Sequence, residues 1–400
     1  MEIRKLKPEE NVHHKLMCSI CFTRHSSSTE DMYAWLKEPE KHTNGYEHAW
    51  GAFDDNGRLI SCMQVVPAQI MMNGLPVKTG LICAVTTLPE ARNARCVRKM
   101  FEIVMSHMKS EGMIFSLLYP FSLPFYRKFG YEHAFLRRQA NFPISELSRY
   151  PYPDGMKVHD KGGPWADFAR VYEAFTQDKN LPMVRGENEW ERLLNRDPYK
   201  NKEFTYIHYN AVGQPDGYVL YSGVHGEHKT FTMKITELAW VDNTGRNAML
   251  GFIHGLRSEY DEVNWPLASD IDVLSMIDNA WKINLSIDTV VMNRVVDVPA
   301  ALGLIKAPSG RGRVIIGVTD KFMGDNSGAY SISWENGSLM VEKTGQTPDM
   351  EVNVETLVQL ISGYLTTAQA LCREGVAVHN KTDELSALFP LKNLYLMEQF

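Results

Sequence analysis

An apolar strand that runs directly into a long amphipathic helix limits the fold of this chain more than any other feature. Residues 80–87 are predicted to form the strand and residues 91–111 the helix. One face of that helix carries the apolar side chains Val97, Met100, Phe101, Val104, Met105 and Met108. Because the first amides of a helix have no partner within it, the junction at 85–98 offers backbone donors that can hold phosphate groups.

Tight turns and short strands surround this junction. The Asn56-Gly57 turn separates the apolar runs Trp50–Phe53 and Leu59–Pro67, because Asn-Gly accepts the positive φ that a tight hairpin requires. After the helix, Ile114–Tyr119 predicts another strand and Phe125–Phe129 predicts one helical turn. Hairpins mixed with helices in this order are typical of an α+β fold.

The same order of elements recurs later in the chain. A predicted hairpin, Phe204–Ala211 with Gly217–Val224, precedes a strand at 230–241 and a helix at Ala248–Glu259. This recurrence indicates an internal duplication.

The length of the chain requires more than one domain. At about 100–200 residues per domain, 400 residues should form two to four domains, and we divide them as 1–142, 143–287 and 288–400. The last segment ends in ALFPLKNLYLMEQF, which stays apolar and aromatic to its final residue. Since chain ends are usually frayed, we expect this one to dock into the folded protein.

The composition excludes several classes of protein. The chain is 44% hydrophobic with a net charge of −6, which excludes a disordered chain and argues against a nucleic-acid partner. No apolar run approaches the roughly eighteen residues that span a membrane. The six cysteines form no disulfide framework, so we expect a cytoplasmic protein with reduced thiols. No P-loop, nucleophile elbow or dinucleotide fingerprint supports a kinase, hydrolase or dehydrogenase.

Three candidates for chemistry stand out, each with a plainer alternative. Arg92, Arg95 and Arg98 add positive charge at the junction, although an ordinary helix with a solvated basic face looks the same. Tyr126 could protonate a leaving thiolate, or it could pack as one aromatic among several. The terminal carboxylate of Phe400 could act as a base if burial strengthens it, or the chain end could simply pack.

Two further clusters carry weaker signals. Four residues at helical spacing could bind a metal, namely His14, Cys18, Cys21 and His25. A single Cys-x-x-C motif is a weak signal for a metal site, so we expect no metal. A second cluster nearby combines acidic and aromatic side chains with His25, and it could hold a cationic amine or belong to a solvated amphipathic helix. Its members are Phe22, His25, Glu30, Asp31, Tyr33 and Trp35.

Ordered motifs along the whole chain resemble those of one family. They are Val85-Thr86-Thr87-x-Pro89-x-x-Arg92, Tyr119-Pro120-Phe121-Ser122-x-x-Phe125-Tyr126-x-x-Phe129-Gly130-Tyr131, Met292-x-Arg294-Val295-Val296-Asp297-Val298, and Phe400 as the terminal residue. With these motifs the chain resembles the enhanced-intracellular-survival (Eis) acetyltransferases, a branch of the GNAT N-acetyltransferases.

The resemblance implies two tandem GNAT domains followed by a sterol-carrier-protein-like domain, an α+β architecture throughout. It implies acetyl-CoA as cosubstrate, amine acceptors such as aminoglycosides, polyamines or lysine side chains, and a homo-hexamer. Tyr126 matches the general acid of the family, and the terminal carboxylate of Phe400 matches its general base. The implied acetyl-CoA contacts are Val85, Thr86, Thr87, Arg92, Asn93, Ala94, Arg95, Cys96, Val97, Arg98, Phe121 and Ser122.

One departure concerns the phosphate turn, which reads Arg/Gln-x-x-Gly-x-Gly/Ala in the family. Arg95 stands at the first glycine position and Val97 at the second small position. Because glycine lets a backbone approach a pyrophosphate closely, Arg95 either obstructs the phosphates or folds outward and contacts them. The alternative function is therefore a CoA- or lipid-binding regulatory protein on a decayed acetyltransferase scaffold.

Overall fold

A computed structural model describes residues 1–22, 46–225, 230–398 and 400 of the chain. Its α-helices are α1 Asn11–Cys21, α2 Cys96–Ser110, α3 Leu123–Arg127, α4 Ala166–Thr176, α5 Glu187–Leu194, α6 Asn243–Gly255, α7 Val298–Leu302, α8 Val354–Ser362, α9 Thr367–Ala370 and α10 Thr382–Leu388. Its first strands are β1 Glu2–Lys5, β2 Ala49–Phe53, β3 Leu59–Met72, β4 Leu75–Thr87, β5 Phe115–Leu118, β6 Glu132–Pro143, β7 Met156–Val158, β8 Lys179–Asn180, β9 Glu203–Tyr209 and β10 Pro215–His225. The remaining strands are β11 Phe231–Trp240, β12 Glu262–Leu267, β13 Asn284–Val295, β14 Arg311–Thr319, β15 Gly328–Glu335, β16 Ser338–Thr344, β17 Met350–Asn353, β18 Ala377–Val378 and β19 Asn393–Leu394.

One continuous sheet of twelve strands joins the first three quarters of the chain. Its order is β1-β2-β3-β4-β5-β13-β6-β12-β11-β10-β9-β7. Strand β13 lies between β5 and β6 and is antiparallel to both, while β6 also pairs with β12. The late strand β13 therefore completes the first half of the sheet, and the predicted division at 287/288 falls inside it.

The predicted hairpins and the strand that leads into the helix are confirmed. Strands β2 and β3 flank the predicted Asn56-Gly57 turn, and β4 runs on to the helix as expected. The helix itself starts later than predicted: a 3-10 turn occupies Pro89–Ala94, and α2 begins only at Cys96. Between them Arg95 adopts φ 56°, a left-handed conformation that interrupts the helix.

The second half repeats this arrangement with one difference at its helix. Strand β11 leads into α6, which begins at Asn243 rather than at the predicted Ala248. The Asp242 carboxylate accepts hydrogen bonds from the amides of Thr244 and Gly245, and this cap starts the helix earlier. None of the helices in the described ranges is long and apolar enough to span a membrane.

The last segment forms a separate five-stranded sheet, and the chain then returns to pair with β8 in a small two-stranded sheet. The order of its strands is β16-β15-β14-β17-β18, with α8 packed against it. Beyond it, β19 runs parallel to β8, and the residues Leu394, Tyr395, Leu396 and Met397 are buried. The predicted docking of the chain end is confirmed.

Candidate active site

The edge of β4 that faces β5 is open over its last residues. The two strands pair in parallel from Thr79–Phe115 to Ile82–Leu118, where β5 ends. Strand β4 continues along β3 as far as Thr87, so Val85 and its neighbours have no strand on their other side among the described residues. A free strand edge presents amide and carbonyl groups that can pair with an extended ligand.

A bulge marks the point where the two strands separate. The register between β3 and β4 shifts between the pair Cys62–Thr86 and the pair Gln64–Cys83. Two residues of β4, Ala84 and Val85, therefore lie opposite one residue of β3. Ala84 has φ 49°, a conformation that costs a residue with a side chain about 1–2 kcal/mol. Strain of this kind persists where the surrounding structure enforces it and clusters at binding sites. We expect the bulge to bend β4 away from β5.

The start of α2 follows this edge after the 3-10 turn Pro89–Ala94 and has no side-chain cap. Arg95 precedes the helix and its side chain makes no capping hydrogen bond, so the amides of the first turn stay available. Arg92 and Arg98 are exposed beside it, as are Asn93 and Ala94. Free helix amides flanked by guanidinium groups form a site suited to phosphate groups.

The two residues that depart from the family pattern are accommodated in this turn. Arg95 is exposed and holds the left-handed conformation that glycine adopts most easily. Cys96 is buried in the apolar cluster beneath α2, and Val97 is half-buried against that cluster. The backbone therefore keeps a shape that glycine would favour, with the Arg95 side chain in solvent.

The corresponding helix start in the second half is closed to anions. The Asp242 carboxylate lies 2.8 Å from the amide of Thr244 and 3.0 Å from that of Gly245. These amides are already bonded, and the negative charge of the cap repels a phosphate. Only the first of the two junctions thus offers a free phosphate site.

Tyr126 lies on α3 within a cluster of aromatic rings. It is 3% exposed, and its ring centroid is 5.5 Å from that of Phe121 and 6.2 Å from that of Tyr131. Burial raises the pKa of the Tyr126 phenol above its ordinary value. The phenol therefore holds its proton at neutral pH, the state that a general acid needs. Phe121 is 73% exposed and Ser122, which precedes α3, is half-buried, so both border the open side of this cluster.

The chain end reaches the same end of β5. Tyr119 directly follows β5, and its hydroxyl donates a hydrogen bond to the carbonyl of Glu398. The Tyr119 and Phe400 rings have their centroids 4.8 Å apart. Tyr126 and Phe400 therefore both lie at the segment that leaves β5, Tyr126 within it and Phe400 against its first residue. They are 274 positions apart in the sequence (400 − 126).

A buried carboxylate ties the helix of Tyr126 to the sheet. Arg127 donates to Glu132 from Nε at 2.6 Å and from Nη2 at 2.9 Å, and the amide of His133 donates to Glu132 at 2.9 Å. Burial opposes ionisation of Glu132, but the hydrogen bonds from His133 and Arg127 outweigh it and lower the pKa of Glu132 to about 2.

The Glu132 contacts predict a pH-dependent stability. We expect Glu132→Gln to lower the free energy of unfolding by about 1–3 kcal/mol at neutral pH, because it removes a charge-assisted network. The loss should be fully present above the ordinary glutamate pKa of about 4.3 and shrink as the pH falls toward 2, since protonation removes the same charge from the native protein. Urea unfolding at several pH values measures it. Glu342→Gln, an exposed change on β16, is the control, and a pH-independent difference would contradict the account.

The weaker candidates gain no support. His14 is fully buried, and burial raises the pKa of the Cys18 thiol to about 11, which disfavours the thiolate that zinc requires. Over the described residues, no three His, Cys, Asp or Glu side chains group as metal ligands. Of the amine cluster, only Phe22 lies within the described residues. The other predicted members of the two clusters lie outside them: His25, Glu30, Asp31, Tyr33 and Trp35.

Sequence reasoning missed two buried clusters of ion pairs beside the site. Arg185 pairs with Glu237 and Glu398, and Arg294 pairs with Asp320. The partners lie far apart in sequence and share no spacing pattern, so no periodicity could have found them. The sequence drew attention to Arg294 only through the Met292–Val298 motif, which is one of the motifs that resemble the Eis family.

Comparisons with known proteins agree with this arrangement. An acetyltransferase (GNAT) domain model matches residues 2–134, a second acetyltransferase (GNAT) domain model matches 181–295, and a sterol carrier protein domain model matches 298–397. None of the curated proteins matches the chain.

Solved structures share the fold over the whole chain. A GCN5-related N-acetyltransferase from Anabaena variabilis is 18% identical, with all of both chains covered and a TM-score of 0.87. A conserved protein of unknown function from Enterococcus faecalis, a probable N-acyltransferase, is 20% identical over 98% of both chains with a TM-score of 0.84. Eis1 from Mycobacterium abscessus is 18% identical over all of both chains with a TM-score of 0.81. The chain is therefore an acetyltransferase with two GNAT domains in tandem, followed by a sterol carrier protein domain.

Proposed function

We propose that the first GNAT domain transfers an acetyl group from acetyl-CoA directly to an amine. Tyr126 acts as general acid and the terminal carboxylate of Phe400 as general base. The acceptor is a small amine of the aminoglycoside, polyamine or lysine type, as the resemblance to Eis proteins suggests. By the same resemblance the protein assembles as a homo-hexamer, and the cysteine pattern of the sequence supports a cytoplasmic location.

One observation carries this proposal: the chain end is bound at Tyr119, directly after β5, and β5 ends where the edge of β4 that leads to the uncapped start of α2 becomes open. The edge at Val85, Thr86 and Thr87 can pair with the amide groups of the pantetheine arm. The amides of α2, with Arg92, Arg95 and Arg98 nearby, can hold the pyrophosphate. These supports lie on consecutive elements, so one extended ligand could contact all of them.

The reaction needs one base and one acid. The nitrogen of a neutral amine attacks the thioester carbonyl and forms the new C–N bond, and the Phe400 carboxylate accepts the one proton that this nitrogen loses. As the C–S bond breaks, the departing thiolate takes the proton of the Tyr126 phenol. The products are the acetylated amine and free CoA, and the two residues recover their protonation states by exchange with solvent.

An acetylation assay tests this proposal. The protein is mixed with acetyl-CoA and a panel of an aminoglycoside, a polyamine and a lysine peptide, and the released CoA thiol is followed with time. We expect release with at least one amine, and Tyr126→Phe should lower the rate by about tenfold or more. Tyr199→Phe, at an 89% exposed tyrosine, is the matched control. No release above the amine-free blank with any acceptor would favour the regulatory alternative.

A further inference from the structure

Both GNAT domains hold the final residues of the chain. The amide of Leu394 donates to Ser269 Oγ at 2.6 Å, and the amide of Ser269 donates to the carbonyl of Leu394 at 3.0 Å. Arg137 Nη1 donates to the carbonyl of Met397 at 3.2 Å, and Tyr119 donates to the next carbonyl. The chain end is thus bound along its length rather than packed by its apolar side chains alone.

Glu398 adds a buried ion pair to these backbone contacts. Arg185 Nε donates to Glu398 Oε1 at 2.8 Å, while its two terminal nitrogens donate to Glu237 at 2.8 and 2.6 Å. The Arg185 side chain is 3% exposed and that of Glu398 is 12% exposed. The hydroxyl of Tyr172 also donates to Glu398, at 3.3 Å, and that of Tyr218 donates to Glu237.

The charges show which member of this cluster is dispensable for the fold. One guanidinium faces two carboxylates, and Arg185 makes a bidentate pair with Glu237 alone. Removing Glu398 takes the acceptor from Arg185 Nε but leaves the bidentate pair of Arg185 with Glu237, whose charges cancel, inside the second GNAT domain. Removing Arg185 would instead leave two buried carboxylates close together, which is strongly destabilising.

Glu398 also lies close to the proposed base in sequence. Two residues of extended chain span at most about 7 Å, so fixing Glu398 confines the carboxylate of Phe400 to a small volume. Holding a catalytic group in place removes an entropic cost that a mobile chain end would otherwise meet in each turnover.

We propose that Glu398 is a positioning residue, whose ion pair with Arg185 of the second GNAT domain fixes the Phe400 carboxylate at the site of the first. The inference rests on the proposed function, because it requires that carboxylate to act as the base. It gives the second GNAT domain, whose own helix start is capped by Asp242, a role in the chemistry of the first.

A double-mutant cycle tests the inference. Four proteins are compared: the unchanged chain, Glu398→Ala, the chain extended by Gly-Ser after Phe400, and the protein with both changes. We expect Glu398→Ala to lower kcat about tenfold or more while KM for acetyl-CoA stays unchanged. In the extended background it should have no further effect, since the carboxylate it positions is gone. Glu398→Gln should recover part of the rate, because its amide oxygen still accepts from Arg185, and Glu342→Ala is the matched control.

The outcomes separate this inference from the proposed function. If the extension abolishes turnover but Glu398→Ala does not lower kcat, the positioning role is overturned and the proposed base stands. The same conclusion follows if the losses of activation free energy from the two changes are additive in the doubly changed protein. If the extended protein is fully active, the proposed base itself falls, and the positioning role falls with it. If Glu398→Ala fails to fold, as judged by thermal unfolding, the same cycle with Glu398→Gln decides between additive and non-additive losses.

Discussion

Extending the chain by Gly-Ser after Phe400 is expected to lower kcat by about 100-fold or more, with acetyl-CoA binding retained. The extension converts the terminal carboxylate into an amide, which cannot accept a proton from the attacking amine. The expected loss corresponds to the usual contribution of a positioned base, about 10²–10⁴-fold.

The acetyl-CoA site should not be affected by this change. The open edge of β4 and the start of α2 are built from residues 83–98, whereas the chain end is bound through Tyr119, Arg137, Arg185 and Ser269. Rates at saturating acetyl-CoA, with calorimetric binding as the control, measure the effect. The same two residues added before Met1 should leave kcat unchanged. Full activity in the C-terminally extended protein would remove the carboxylate from the mechanism.

Arg294→Met is expected to lower the free energy of unfolding by about 3–5 kcal/mol. Arg294 is completely buried on β13, where Nη2 lies 2.6 Å from Asp320 Oδ2 and Nη1 donates to the carbonyl of Phe129. The substitution leaves a buried, uncompensated carboxylate and an unsatisfied carbonyl. Gly130 has φ 79°, and a Cβ there would overlap the Arg294 guanidinium, so the turn after α3 is shaped around it.

The control for Arg294 is an exposed ion pair of similar geometry. Arg58 and Glu90 are 2.8 Å apart with side chains 60% and 58% exposed, and Arg58→Met should cost less than about 1 kcal/mol. The double change Arg294→Met with Asp320→Leu should recover part of the loss, because it removes the unpaired charge. Urea unfolding of the three variants decides. A loss for Arg294→Met no larger than that for Arg58→Met would contradict the account.

Local chemistry made much of the fold predictable. Asn56-Gly57 specifies its hairpin by backbone conformation, and the apolar face of α2 follows from helical spacing, so both were predicted within a few residues. The start of α2 was missed because nothing in the sequence shows that Arg95 would take a left-handed conformation. The predicted start of α6 was five residues too late, although an aspartate before a helical segment, here Asp242, is a readable cap signal.

Long-range contacts were beyond what the sequence could predict. The insertion of β13 between β5 and β6 depends on which strand edges meet, and periodicity within a strand carries no information about that. The pairing of Arg185 with Glu398 joins residues 213 positions apart. Tyr126 and Phe400 were assigned through resemblance, and spacing alone would have favoured ordinary packing for both.

Calorimetry of the full chain with acetyl-CoA tests the central claim most directly, namely that the first GNAT domain alone binds this cosubstrate. We predict one site per chain, since α2 is uncapped and α6 is capped by Asp242. Arg95→Glu should weaken binding by about tenfold, because it places a negative charge at the phosphate turn, whereas Arg246→Glu in the first turn of α6 should leave it unchanged. No binding at about 1 mM acetyl-CoA, or two equal sites per chain, would contradict the account.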